Sequence, residues 1–257
     1  MKPLIFITND DGHSSRGLAC LTELALEVAD VVVVTPELNS SGKSHSLTSN
    51  VPLRVRAISE GDHLSQYACT GTPVDCVKLG EEHLCPRKPD LILSGINHGS
   101  NASINVIYSG TMGAVIEAST LGYPAVGFSL LSHSAKADFS HCLDYVRAII
   151  KDVLENGLPS RISLNVNIPK AESEPLKGIR VCREAGAYWS DSFEKRIDPS
   201  GQPYYWLTGK FVCLDNAEDT DEYALHNGYI SIVPTHPDYT APSYIEPMRG
   251  RFEKIGK

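Results

Sequence analysis

No stretch of this chain approaches the 18 or so consecutive apolar residues of a membrane-spanning helix, so no membrane association is expected. No cluster of Lys and Arg stands out, and 23 basic residues against 31 acidic ones leave a formal charge of −8. That balance argues against gripping a nucleic-acid groove, where affinity comes from neutralising phosphates. The seven cysteines (Cys20, Cys69, Cys76, Cys85, Cys142, Cys182 and Cys213) are odd in number and lack C-x-x-C spacing. Free thiols in a reducing compartment fit this better than a disulfide frame or a zinc site. The nine histidines form no H-x-x-H or H-E-x-x-H set, and no Walker pattern occurs. The first apolar run is a strand's length and acids follow it, so a signal-peptide pattern is missing and a cytoplasmic location is expected. There is no internal repeat and no low-complexity segment.

What is present is ordinary globular material: 257 residues, 42% hydrophobic and 21% charged. A chain this long buries roughly three quarters of its unfolded surface and needs no metal or disulfide merely to fold. Pro3 to Thr8 and Val31 to Thr35 are short apolar runs that suit strands buried on both faces. Between them, Leu18, Leu21, Leu24, Ala25 and Val28 fall at helical spacing. Such a unit predicts parallel strands with a right-handed crossover. Further strands are expected at Leu53 to Ile58, Gln66 to Thr70, Leu91 to Ser94, Pro124 to Leu130 and Ile162 to Ile168. Helices are expected from Pro73 to about Leu84, behind a Thr72 cap, from Thr111 to Leu121, and from Phe139 to Leu154 with a stop at Gly157. The alternation through residue 168 predicts an α/β fold, a Rossmann-like doubly wound sheet of mostly parallel strands in three layers. Residues 169–257 read as a C-terminal extension. It would hold a strand at Ile179 to Arg183, a β-hairpin over about 193–207 around DPSGQ, and a short helix opening at Thr220-Asp221. A returning strand over 229–233 and a helical tail over about 243–257 complete it. The aromatic hairpin is either core or a subunit-swapped arm.

Ligands of an open parallel sheet bind beyond the carboxyl ends of its strands. Three such ends are unusually polar here: Asn9, Asp10 and Asp11; Asn39 through Gly42; and Asn97 through Asn101. Asp-Gly after a strand is a common turn, which explains one carboxylate better than two. A divalent cation relieves the repulsion between adjacent carboxylates, and Mg²⁺ typically takes one or two of them. Ser41 and Asn97 are the candidates for neutral oxygen ligands, against the plainer roles of a loop serine and a turn asparagine. Ser40-Ser41-Gly42-Lys43-Ser44 resembles an anion-binding nest, or is a flexible polar loop. Ser109-Gly110-Thr111 precedes a helix and could receive a phosphate, or is an ordinary N-cap. His236 in PTHPDY is either a surface imidazole or a group reaching the site.

Together these motifs resemble the SurE family of survival-protein nucleotidases. The resemblance runs nearly end to end: NDDG (Asn9 to Gly12), PELNSSGKSHSLT (Pro36 to Thr48), GTPVDCV (Gly71 to Val77), SGINHGSN (Ser94 to Asn101) and YSGT (Tyr108 to Thr111). The stretches NVNIP, RIDPSGQPYYWLTG and GYISIVPTHPDYT also look like family segments. The resemblance implies a metal-dependent phosphatase of nucleoside monophosphates. It implies one divalent ion per subunit, Mg²⁺ or Mn²⁺, on Asp10, Asp11, Ser41 and Asn97. Asp10, Asp11 and Asn9 would be the catalytic group, and Gly42, Ser44, Asn101, Ser109, Gly110 and Thr111 would hold the phosphate. It further implies a homodimer or homotetramer assembled partly through the C-terminal elements, which favours the swapped-arm reading. Water activated by the metal is the first choice of attacker and an aspartate the second. The chain departs from the family at His13 to Arg16, where alanine-proline-glycine is usual, and at CREAGAYW, Cys182 to Trp189.

Two rivals bear on this reading. A signalling receiver domain would need a phosphoacceptor aspartate at a central strand end, which VVVVTPE and LILSGIN lack. A non-catalytic nucleotide-binding stress-response module is the other, but paired carboxylates hold an anion poorly without a metal.

Overall fold

In a computed structural model describing residues 2–134, 136–171 and 174–255, the chain forms eleven strands and six α-helices. The strands are β1 (Leu4–Thr8), β2 (Asp30–Pro36), β3 (Val55–Ser59), β4 (Leu64–Cys69), β5 (Leu91–His98), β6 (Ala125–Leu130), β7 (Ser163–Ile168), β8 (Ile179–Val181), β9 (Ala187–Ile197), β10 (Pro203–Cys213) and β11 (Ile230–Thr235). The helices are α1 (Arg16–Leu26), α2 (Pro73–His83), α3 (Gly110–Thr120), α4 (Leu143–Asn156), α5 (Asp221–His226) and α6 (Ile245–Phe252). Nine strands make one sheet in the order β3-β4-β2-β1-β5-β6-β7-β11-β8. From β4 through β7 all neighbours are parallel. This is the expected Rossmann-like α/β architecture.

Strand periodicity divides the core in two. Ile5 and Ile7 of β1 join Leu18 and Leu21 of α1 and Val146 and Ile150 of α4 on one face. Leu4 and Phe6 join Val77 of α2 and Met112 and Val115 of α3 on the other. Side chains of successive strand residues point to opposite faces, so a strand buried on both must be apolar throughout, as β1 is.

Four elements differ from the sequence expectation. β5 does not stop at Ser94. It shifts register and pairs Asn97 with Ser129 and His98 with Leu130, so Asn97 lies on the strand. The shift passes through Gly95, whose φ is +123° and where a Cβ would come 2.3 Å from the Phe128 carbonyl oxygen, so only glycine fits. The helix expected from Phe139 begins at Leu143, because the Asp138 carboxylate takes the Ser140 N–H (2.9 Å) and turns the chain first. The hairpin spans β9 and β10 in full and pairs Ala187 with Cys213 at its root. Ser190, Asp191 and Ser192 broke the apolar pattern that marks a strand, but an exposed ribbon has no buried face to enforce it. The expected tail helix is confined to α6, and its last two positions, 256 and 257, lie outside the described residues.

The C-terminal segment also returns to the main sheet, where β11 runs antiparallel to β7. Ser231 sits beside Asn167 at the carboxyl end of β7, and Thr235 sits beside Ser163 at its start. α5, just before β11, is therefore on the ligand edge, whereas His236 leaves at the opposite edge and does not join the site. Among the described residues no helix is long and apolar enough to cross a membrane.

Candidate active site

Asp10 lies two residues past the end of β1, at the point where the sheet order diverges toward β2 on one side and β5 on the other. It is 3% exposed, and Asp11 beside it is half-buried. The Thr111 hydroxyl donates to Asp10 Oδ1 (2.7 Å). Burial raises the Asp10 pKa, the Thr111 hydroxyl opposes that, and the charge of Asp11 adds to the rise. Burial raises the Asp11 pKa as well, against the main-chain N–H of His98 (3.3 Å to Oδ2) and its imidazole. No Lys or Arg forms an ion pair with either aspartate among the described residues. A buried carboxylate next to a second one and without a cation is costly unless another positive charge arrives.

Gly110 completes the cradle. A Cβ there would lie 2.8 Å from Asp10 Cβ and 3.0 Å from Oδ2, so the first turn of α3 rests directly on the carboxylate. The N-terminus of α3 directs main-chain N–H groups and the positive end of its dipole to the same place. Ser109 caps the helix, its Oγ accepting the Met112 N–H (3.0 Å), which leaves its own hydroxyl proton for an acceptor. The hydroxyl protons of Thr111 and Ser44 are engaged elsewhere. Thr111 donates to Asp10, and Ser44 donates to the Ile107 carbonyl.

The second loop is tied to the first, because Ser40 N–H donates to the Asp10 carbonyl (2.7 Å), setting Ser41 and Gly42 next to this contact. Ser41 is exposed, and its own N–H bonds Asn39 Oδ1 (2.8 Å). Asn97 is 8% exposed and its Nδ2 donates to the Gly99 carbonyl (3.0 Å), which leaves its Oδ1 available to accept. Asn9 is fully buried and shapes the Asp-Gly turn, with Nδ2 on the Gly12 carbonyl (3.0 Å) and Oδ1 on the Gly12 N–H (3.1 Å). These bonds hold the loop bearing the two aspartates.

Ser129, Asn165 and Asn167, which sequence reasoning missed, surround Asn101, which it named. Asn101 is fixed by a buried relay. Its N–H donates to Asn167 Oδ1 (2.8 Å), its Nδ2 to Ser129 Oγ (2.8 Å), and its carbonyl accepts from Asn165 Nδ2 (2.8 Å). The signal was visible as the two asparagines, Asn165 and Asn167, in the strand sequence ISLNVNI. His45, Lys78 and Glu117 form a second cluster, with Lys78 Nζ and His45 Nε2 each 2.7 Å from the nearly buried Glu117 carboxylate. Their separation in sequence left no signal. This cluster clamps the Ser41 loop to α3. The His45 contact, then Lys78, brings the Glu117 pKa down to about 2. The depressed pKa gives stability that is full above the ordinary value near 4.5 and is lost as pH falls through about 2. Glu117→Gln should loosen the 40–48 loop by about 1–2 kcal/mol, seen as faster amide exchange there at neutral pH. Unchanged exchange would refute the clamp.

Among the described residues no three His, Cys, Asp or Glu side chains are grouped so that they could hold a metal ion. The donor set would instead be two carboxylates, a hydroxyl and an amide carbonyl. All are hard oxygen ligands that suit Mg²⁺ or Mn²⁺ and not a soft metal. With Asp10 buried and lacking a cation, the residues present fit such an ion.

These features define a doubly wound α/β protein whose ligand edge is lined with oxygen donors and a helix N-terminus. The family described as survival protein SurE matches residues 5–191. The chain belongs to the SurE family. Curated relatives named 5'-nucleotidase SurE include those of Christiangramia forsetii, 51% identical over 96% of both chains, and Flavobacterium johnsoniae, 52% identical over 93% of both. The crystal structure of the SurE protein from Aquifex aeolicus is similar in fold, with a TM-score of 0.82 at 38% identity over 96% of this chain and 99% of that one.

Proposed function

We propose that this protein is a divalent-metal-dependent 5'-nucleotidase that hydrolyses nucleoside monophosphates to nucleoside and phosphate. The observation that carries the reading is the buried Asp10 beside the half-buried Asp11, with no Lys or Arg ion pair to either among the described residues and with the first turn of α3 resting on Asp10. When bound to Asp10, Asp11, Ser41 and Asn97, Mg²⁺ or Mn²⁺ supplies charge stabilisation for the phosphoryl group and lowers the pKa of water. Thr111 orients Asp10, and its hydroxyl opposes the rise that burial gives the carboxyl pKa. Gly42 and Gly110 bring main-chain N–H groups to the phosphate without a side chain in the way. Ser109 contributes the hydroxyl proton that its cap bond leaves free, and Asn101 a side chain held from behind by Ser129. Ser44 and Thr111 act mainly by placing their loops, since their own hydroxyl protons are engaged.

A panel of 5'- and 3'-nucleoside monophosphates with Mn²⁺, Mg²⁺ or EDTA tests this. Phosphate release from 5'-nucleotides that EDTA abolishes and metal restores is expected. Nucleotide binding without release under every metal would refute the enzyme reading in favour of a binding module.

The exposed apolar side chains of the hairpin, Phe193, Ile197 and Leu207 each more than 60% exposed, support its use as an oligomerisation arm in a homodimer or homotetramer. Deleting residues 187–213 should lower the number of subunits per assembly, read from the mass in solution. An unchanged subunit number would count against the arm.

A further inference from the structure

Asp221 is fully buried, yet it belongs neither to the metal set nor to a salt bridge among the described residues. It is also not the cap of its helix. That role falls to Thr220, whose hydroxyl accepts the Tyr223 N–H. The Asp221 carboxylate instead gathers N–H groups from three segments. Oδ2 accepts from Ser103 (2.7 Å), 118 residues away, and Oδ1 accepts from Ala185 (2.9 Å) and Glu222 (2.8 Å). Ser103 and Ala185 are joined to each other as well, the Ser103 hydroxyl donating to the Ala185 carbonyl (2.8 Å). Ser103 has a left-handed backbone, φ +54°, which a residue with a Cβ adopts only when its surroundings enforce it.

What hangs from this knot is the site. Two residues before Ser103 is Asn101. Ser103 opens the 3₁₀ stretch Ser103–Tyr108, which leads into Ser109, Gly110 and Thr111 against Asp10. The Ser41 loop is attached to the same stretch, through Ser44 on the Ile107 and Tyr108 carbonyls. The hairpin adds a second tie, Trp189 Nε1 to Asn105 Oδ1 (2.8 Å).

We propose that Asp221 is a positioning residue for the phosphate-holding wall: by fixing Ser103 to Ala185, it makes the C-terminal extension set the placement of residues 101–111. Carboxylate chemistry is required for this, because both oxygens face N–H donors. Asparagine would turn its NH₂ toward one of them and leave that donor unpaired.

The test compares Asp221→Asn with Thr220→Ala, which removes the neighbouring helix cap but touches neither Ser103 nor Ala185. Asp221→Asn is expected to raise KM for a nucleoside 5'-monophosphate at least about tenfold, to weaken binding of inorganic phosphate in proportion, and to speed amide exchange over 101–110. Thr220→Ala, with a Tm loss of the same size, should leave KM and exchange at 101–110 within about twofold of the parent. Should Asp221→Asn fail to fold, Ser103→Ala removes one bond of the knot and should shift the same readouts in the same direction by less. If Asp221→Asn or Ser103→Ala lowers only Tm, or if Thr220→Ala matches their KM and exchange changes, the proposal is overturned. The kinetic and phosphate arms rest on the nucleotidase reading. Amide exchange does not, so a parent protein that releases no phosphate would sink that reading while exchange still decides this one.

Discussion

Asp10→Asn should reduce metal-dependent phosphate release by roughly 10²–10³-fold, the loss typical of removing one charge-stabilising group from a site that excludes water. The same variant should not be less stable than the parent in EDTA. Burial and the adjacent Asp11 both disfavour the charged form of Asp10, so a neutral isostere relieves a cost. The sign of the pH dependence agrees. A carboxyl whose folded pKa lies above its ordinary 3.8 binds its proton more tightly when folded. Its contribution to the metal-free protein is therefore most favourable at low pH and is lost as pH rises through the raised folded value. Mg²⁺ or Mn²⁺ should raise the Tm of the parent at neutral pH, because a ligand that binds only the native state stabilises it, and should barely move that of Asp10→Asn. Thermal unfolding with and without metal checks this. A large metal-induced stabilisation of the variant equal to the parent's would show that the ion sits elsewhere.

The second large effect belongs to Gly110→Ala. The added methyl would meet Asp10 Cβ at 2.8 Å and Oδ2 at 3.0 Å, so either the carboxylate or the start of α3 must move. Overpacking of this kind costs about 1–3 kcal/mol. Misplacing a reacting centre by an ångström costs about 10²-fold in rate. Gly80→Ala is the control. Its methyl would meet the Phe6 ring at 2.4 Å in the core beneath the sheet, remote from the ligand edge. Both variants should lose Tm, but only Gly110→Ala should lose about 10²-fold in kcat per folded molecule. Equal kcat in the two would mean that α3 does not locate Asp10.

Much of this was legible because local chemistry is written locally. An apolar run buried on both faces must alternate between two cores, so β1 and its Ile5/Ile7 and Leu4/Phe6 division followed from PLIFIT. The adjacent acids Asp10 and Asp11 announced a need for charge compensation. The order of short motifs pointed to the SurE family, to which the chain belongs.

Other features were not legible, for one physical reason: they are closed by contacts between residues far apart in the chain. Nothing near Ser109 says that its hydroxyl proton is free while those of Ser44 and Thr111 are engaged. That depends on where Ile107 and Asp10 come to rest. The register shift that puts Asn97 on β5 depends on Phe128 of the neighbouring strand. For His236 the sequence left a surface imidazole and a group reaching the site both open, because strand direction, not spacing, decides the edge at which it leaves. Asp221 looked like the start of a helix, and only the fold brings Ser103 and Ala185 to its carboxylate. The sequence by itself determined the strands, the layers and the kinds of oxygen at the ligand edge, since each follows from side-chain periodicity and charge over a few residues. Only the tertiary structure decided which of those oxygens keep a free proton or lone pair and which are used to hold the wall, because a hydrogen bond is directional and its second partner comes from another part of the chain.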